Sequence, residues 1–455
     1  MGSWSRRARL CLLVGAAWVP ESLQAQSGAW ALTNAKIETV TRGTIARGTI
    51  VIRDGLIESV GPNVAIPPDA RVMDLANRTV YPGFIDLTST IGLPNAPARP
   101  QGNPFQNTGP DTSQRNIGLE PSRLVANELR PSASDLQAAR DRGITAALVA
   151  PDRGLFRGLS ALIPLRDDTA THWIVRSPVA LHLGYDRVPG RYPGSLLGVI
   201  AYQRQALYDA KRHAQLVDRS RTAARGVARA SYDADLDALV PVVEGEIPAF
   251  IAASNENEIR RATALAKEFS LKLSIVGATE GFRAIDALKG TGTAVVSVNF
   301  PDPTSVTGWS YRGATRMAPD DSATRAAAAT KVLESNAATL HTAGVRFALA
   351  SGGLRPAQFM ANVRKAVAAG LPRETAIEAL TIRAAEAAGA QEQLGSIEQG
   401  KIANLLIMTG DALTENAKLE SVFVDGERYA VVPAPADSTR GAQRGARRTP
   451  QEDRR

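Results

Sequence analysis

Between two β-patterned ends, the sequence alternates short apolar runs with helix-length stretches, and this alternation limits the fold more than any other feature. Ile144–Ala150, Val179–Leu183, Ile247–Ala252, Leu271–Val276, Ala294–Val298 and Val345–Ala350 are apolar runs of strand length. Helical stretches lie between or after them at Ser195–Arg212, Asn255–Glu268, Ser322–Ala343, Pro356–Ala369 and Thr375–Ala388. Strands that alternate with helices build parallel βα units, so the chain reads as α/β, with a (β/α)8 barrel as the expected body. The third and fourth strands are blurred across Leu159–Val240.

The ends follow a different period. Ala31–Ile37, Gly48–Ile52 and Leu56–Gly61 alternate as strands, with Asp54-Gly55 as a hairpin signal, and Gly400–Met408, leading through Gly410-Asp411 to Val422–Tyr429, repeats this character. Two β segments at opposite ends of an α/β body predict a small β-sandwich domain built from both termini. The expected division is a signal peptide over 1–25, the two halves of the β domain at 26–80 and 393–432, the barrel over 81–392, and a disordered basic tail over 433–455. With 455 residues and 44% apolar content, the chain is long enough for one barrel and a small partner.

Residues 1–25 place Arg6, Arg7 and Arg9 before an apolar run from Leu10 to Val19, and Ala25 precedes Gln26. That order predicts export to a periplasmic or secreted location, with cleavage near Ala25. Ser5-Arg6-Arg7 has part of a twin-arginine pattern, but Arg9 stands where that pattern wants a large apolar residue. The apolar run is too short to span a bilayer, so no integral membrane segment is expected. Cys11, the single cysteine, lies within the signal, which leaves the mature chain without a thiolate for catalysis or zinc. Part of the formal charge of +8 sits in the tail, at Arg440, Arg444, Arg447, Arg448, Arg454 and Arg455 among Gly, Ala and Pro. A solubilising tail accounts for it better than nucleic-acid binding does.

The stretch Arg78–Thr90 reads as a buried strand that breaks into small hydroxyl residues. Its Pro82, Gly83, Ile85 and Asp86 resemble the first barrel strand of the amidohydrolase superfamily, which typically ends Pro-Gly-x-Ile-Asp-x-His-x-His. Asn34–Ile37, Ile52–Ile57, Leu394–Lys401 and Val424–Gly426 resemble the end signatures of the same superfamily, in the same order. The resemblance implies the barrel, a composite β domain and hydrolysis of non-peptide C–N bonds by one or two divalent metals such as zinc, which activate water and polarise the carbonyl.

Each ligand position that the resemblance maps is changed in this chain. Thr88 and Thr90 stand for the two first-strand histidines, Ala252 and Gly277 for those of the fifth and sixth strands, and Gly352 for the eighth-strand aspartate. These five positions are expected to line a pocket without metal. Glu244 and Glu246 are nearby carboxylates, read as solvated loop charges. Of the four histidines, none pairs with another at metal-ligand spacing. His213 and His341 read as helix residues, and His182 as a strand histidine that is either a satisfied core residue or a catalytic group. Asp86 and Ser351 are the remaining candidates for metal-independent acid, base or nucleophile roles, although no Gly-x-Ser-x-Gly elbow surrounds Ser351. Glu280 reads as a helix-start carboxylate.

The chain also resembles a lineage of exported amidohydrolase-like proteins in which hydroxyl residues replace the histidine pair; Gly194–Gly198 and Tyr202–Gln205 share that likeness. It implies a pseudoenzyme without metal cofactor, which binds a small molecule, a catalytic relative or a second copy of itself. The alternative is an atypical or metal-independent hydrolase of small or cyclic amides. The segments Leu93–Pro131 and Asn299–Pro319, rich in loop residues, are candidate lids or plain solvated loops.

Overall fold

The computed structural model describes residues 28–94, 120–167, 174–186, 192–222, 231–300 and 319–431, with side chains from 327 in the last range. The N-terminal strands are β1 (Trp30–Glu38), β2 (Thr44–Arg53), β3 (Leu56–Gly61), β4 (Arg71–Asp74) and β5 (Thr79–Pro82). The body follows with β6 (Phe84–Ser89), α1 (Ala133–Arg140), β7 (Ile144–Val149), β8 (Phe156–Leu159), β9 (Ala161–Pro164), β10 (Leu181–Leu183), α2 (Leu196–Thr222) and α3 (Ala234–Val243). It continues through β11 (Ala249–Ala253), α4 (Glu256–Phe269), β12 (Leu273–Gly277), α5 (Ile285–Leu288), β13 (Ala294–Ser297), α6 (Pro319–Glu334), α7 (Asn336–Thr342) and β14 (Phe347–Ala350). The remaining elements are α8 (Pro356–Ala368), α9 (Arg373–Leu380), α10 (Ile382–Ala387), β15 (Leu405–Thr409), β16 (Lys418–Val424) and β17 (Glu427–Ala430). No helix among the described residues is long and apolar enough to cross a membrane.

Strands from both ends share one eight-stranded sheet in the order β17-β16-β15-β5-β1-β2-β3, with β4 also on β1. The junction is antiparallel pairing of β15 with β5, Leu406 opposite Tyr81. Both Asp-Gly turns have positive φ at each residue, 50° and 80° at Asp54-Gly55 and 53° and 76° at Asp425-Gly426, as a tight two-residue hairpin requires. The two turns meet back to back, since a Cβ on Gly426 would lie 2.7 Å from the Gly55 Cα.

In the body, β10 to β14 run parallel as neighbours, and β6 runs parallel to β7. The segment 156–164 departs from the all-parallel expectation. β8 lies antiparallel on β10, and β9 antiparallel on β7. From Val149 the chain reaches β9 at Ala161 by way of β8 without a crossover helix, so β9 returns antiparallel to β7. Between β8 and β9, Ser160 donates its N–H to the Ala180 carbonyl at 3.0 Å, so this one segment joins the two sheets.

Alternation sorts the strand side chains. Ile85, Leu87, Ala146, Leu148, Leu162, Phe250, Val295, Ala348 and Ala350 share one buried cluster, while Phe84, Val149, Leu183, Ile251, Val296 and Leu349 pack in another that includes helical residues. Helix α4 shows how the outer layer is specified. Asn255 and Glu258 form a reciprocal capping box, and Ile259, Ala262, Leu265, Ala266 and Phe269 form its buried stripe. The helical stretch expected over Ser322–Ala343 is interrupted at Ser335, and the one over Thr375–Ala388 breaks at Thr381, with φ −125° and ψ −94°.

Candidate functional site

The C-terminal ends of β6 and β14 meet through a knot of hydrogen bonds. Asp86 Oδ2 accepts from Ser351 Oγ at 2.7 Å, and Oδ1 accepts from the Ser351 N–H at 3.0 Å. The same Oδ1 accepts from the Thr88 N–H and hydroxyl, each at 3.2 Å. Thr88 Oγ1 in turn accepts from the Gly352 N–H at 2.8 Å and lies 3.2 Å from Ser351 Oγ. Asp86 and Ser351 are 6% and 2% exposed, so the knot sits below the surface with its carboxylate engaged by the protein itself. The chain takes this shape because β14 turns sharply through Gly352 and Gly353, with φ of 61° and 82°.

Around the knot the strand ends carry small groups. Asn299 donates its side-chain N–H to the Gly352 carbonyl at 3.1 Å, and its backbone N–H to Ser297 Oγ. A Cβ at Gly352 would fall 1.9 Å from Ser297 Oγ; at Gly277, with φ 110°, it would fall 2.9 Å from Ser254 Oγ. Ala252 is half-buried, and Thr90 is exposed.

His182 lies on β10 opposite Phe250 of β11, with ring centroids 5.3 Å apart, and is 5% exposed. Burial, with the Arg157 guanidinium nearby, pushes its imidazole down to about 3, so it is neutral at ordinary pH. Its placement is that of a core histidine, but among the described residues its buried Nε2 has no hydrogen-bond partner. Arg157, absent from the candidates the sequence suggests, completes this corner. Its Nη2 donates to Asp186 at 3.1 Å and its Nε to the Gly154 carbonyl at 3.3 Å, and its side chain is 13% exposed.

The other singled-out groups lie elsewhere. Glu244 and Glu246 are exposed and precede β11, at the opposite end of that strand. His213 pairs with Asp237 at 2.8 Å, joining α2 to α3. His341 borders a groove near the N-terminal end of β14, where Arg346 and Arg383 are paired with Glu386 and Glu378. Glu280 accepts from the Glu256 N–H at the first turn of α4, whereas at the turn that follows it in sequence its side chain makes no cap.

Residues 240–432 match the family described as amidohydrolase family. An amidohydrolase from Thermotoga maritima MSB8 superposes with a TM-score of 0.70 at 22% identity, covering 88% of this chain and 98% of that one. The chain thus resembles the amidohydrolase superfamily over residues 240–432, under half of its length, and in fold over most of it. A putative prolidase from Bifidobacterium longum shares the fold at a TM-score of 0.54 and 18% identity, over 91% of this chain and 97% of its own. A dihydroorotase of Anaeromyxobacter dehalogenans (strain 2CP-C) is 56% identical over 39 residues, 9% of each protein, so the likeness to that enzyme is local.

The side chains at the mapped ligand positions do not fit the divalent metal of this superfamily. Thr88, Thr90, Ala252, Gly277 and Gly352 offer two neutral hydroxyls and no imidazole or carboxylate, whereas such a metal wants several of these donors converging from separate strands. Thr88 and Gly352 are bonded directly to each other. Among the described residues, no three His, Cys, Asp or Glu side chains gather where they could hold a metal.

Proposed function

We propose that this amidohydrolase relative has given up the superfamily's metal chemistry and uses the ends of its strands as a binding surface. The observation that carries the reading is the Thr88–Gly352 hydrogen bond, which closes directly two positions that would otherwise hold a metal between them. Ser297 Oγ supports it, because an aspartate restored at 352 would begin inside that atom. In this reading β6 to β14 form one distorted barrel over residues 81–392, with 156–164 as its irregular third strand and the β6–β14 knot as its closure. Residues 26–80 and 393–432 form the composite β domain, a sandwich with the chain ends in one layer. The protein is exported, which the arginines and apolar run of residues 1–25 support. The occupant of the mouth is a small molecule, with a catalytic relative or a second copy as the alternative partner.

A second reading rests on the 2.7 Å contact of Asp86 with Ser351, the contact a carboxylate base would make to a serine nucleophile in hydrolysis of a small amide without metal. It is the weaker one. Ser351 is 2% exposed, and the Gly352 N–H that would stabilise an oxyanion is taken by Thr88.

Elemental analysis of the mature protein, recovered untagged from the extracytoplasmic fraction after growth with zinc, manganese and iron, tests the first reading. The expected result is metal well below one equivalent and an N-terminus close to Gln26. Stoichiometric, tightly held metal would sink the metal-free reading, and an intact leader in a cytoplasmic protein would sink export. Hydrolysis of small amides that survives chelation and is lost in S351A would favour the second reading.

A further inference from the structure

Two observations at the end of β10 belong to neither the knot nor the fold's ordinary packing. The first is Arg157. β8 is antiparallel to β10, with Gly158 opposite His182 and Phe156 opposite Leu183, so Arg157 is the unpaired extra residue of a bulge beside the last pair of β10. Its guanidinium covers Gly184, since a Cβ there would lie 2.3 Å from Arg157 Nη2. A guanidinium offers five N–H donors. Among the described residues only its Nε and Nη2 find acceptors, and Nη1 has none. Its ion-pair partner, Asp186, is 49% exposed in its side chain, so the pair is wet on one side and dry on the other. Burial pulls the Arg157 guanidinium below the usual arginine range, as expected for a cation whose surroundings under-solvate it.

The second observation is the orphaned Nε2 of His182. By the alternation of β10, His182 projects on the same face as Gly184, one residue pair lower, or about 7 Å along the strand. A buried imidazole nitrogen with no partner among the described residues forfeits its hydration without a replacement, which a bound ligand would supply. The neighbouring strand positions are small: Gly158 and Gly184 flank the pair, and Ala252 and Gly277 follow on β11 and β12, both only half-buried. The corner therefore combines an under-satisfied cation, a neutral nitrogen without a partner and the space that small residues leave.

We propose that Arg157 and His182 form a carboxylate subsite at the C-terminal end of β10, which takes a small molecule bearing one carboxylate. Arg157 supplies the charge through Nη1, and His182 supplies a neutral N–H donor from below. The Asp86–Ser351 knot stays a structural neighbour and takes no part. This subsite rests on the metal-free reading of the mouth, since a metal bound there would recruit a carboxylate by itself.

Calorimetric titration with N-acetylglycine and, in parallel, with its uncharged amide N-acetylglycinamide tests the subsite. The wild-type protein is expected to bind the acid and not the amide, and Arg157→Gln to weaken the acid at least tenfold. Arg157→Lys keeps the charge beside Asp186 and covers the case in which the glutamine variant does not fold; it is expected to weaken binding several-fold. On ¹⁵N-histidine-labelled protein, the acid is expected to shift the His182 resonance, identified by its loss in H182Q. Equal binding of acid and amide, binding of neither, or full binding by the arginine variants overturns the subsite. Failure of acid binding in metal-free protein overturns the subsite alone. Acid binding that persists in Arg157→Gln and vanishes on chelation overturns the metal-free reading with it.

Discussion

At His182 the free energy of folding is tied to pH. Its imidazole titrates near 6.5 in an unfolded chain and is pushed down to about 3 in the fold by burial and by Arg157. Between those values the unfolded state binds one more proton than the folded state, so stability falls as pH drops below about 6.5, by up to ~1.4 kcal/mol per pH unit. Replacing His182 with Phe removes this proton and the orphaned nitrogen while keeping a flat ring beside Phe250. H182F is expected to be as stable as the wild type at pH 7.5 or slightly more so, and to lose less stability by pH 5. Urea denaturation at the two pH values checks this; identical slopes in both proteins would contradict a neutral buried imidazole. The same residue shows what sequence alone hides. An apolar strand announced that His182 would be buried, but nothing in its neighbours announced that its Nε2 would lack a partner. Asp86 and Ser351 were candidates one by one, but their 2.7 Å contact joins positions 265 residues apart, and no local pattern encodes it. Arg157 stayed unnoticed because an arginine in a short, irregular strand reads as surface charge.

The legibility of the elements follows how local their causes are. The Asp54-Gly55 hairpin was readable because a two-residue turn needs positive φ at both positions and these residues tolerate it. That it would pack on the Asp425-Gly426 turn was not readable, and that contact is the stronger constraint. Gly426→Ala must hold an alanine at φ 76° and place its Cβ 2.7 Å from the Gly55 Cα. Left-handed strain and overpacking together are expected to cost about 2–4 kcal/mol. Gly400→Ala, also left-handed at φ 85° but with open space around it, is expected to cost only about 1–2 kcal/mol. Thermal unfolding of both variants separates the turn-to-turn contact from backbone strain, and equal losses would show that the contact contributes nothing. The parallel strands from β10 to β14 were legible as apolar runs between helices. The antiparallel 156–164 segment was not, because its direction is decided by pairing partners far along the chain.

For the whole molecule, the question is whether the sheet made of the chain ends unfolds with the body or apart from it. They share apolar packing, with Leu406, Met408, Val422 and Val424 in the same buried cluster as Phe84, Ile144 and Val149, and a polar junction beside it. Arg140 of α1, 1% exposed, donates to the Leu165 carbonyl at 2.8 Å, pairs with Asp167 at 2.7 Å and lies 4.2 Å from the ring centroid of Tyr429 on β17. Gln137 of the same helix donates to the Ala430 carbonyl at 3.2 Å, and Arg166 pairs with Asp425 in the hairpin turn. A buried guanidinium that satisfies a carbonyl, a carboxylate and an aromatic face at one junction couples the two parts far more than its size suggests. Truncation to Arg140→Ala leaves the Leu165 carbonyl and Asp167 without their donor and removes the surface on which Tyr429 rests, at an expected cost of about 3 kcal/mol or more. The wild-type protein is expected to unfold in a single calorimetric transition, because the end sheet cannot leave without exposing this junction. In R140A the transition is expected to move to lower temperature and to broaden or split as the end sheet melts first. Two separate transitions already present in the wild type, or an unmoved single transition in R140A, would mean that the junction does not couple the parts, and that the pairing of β15 with β5 holds the ends together without help from the body.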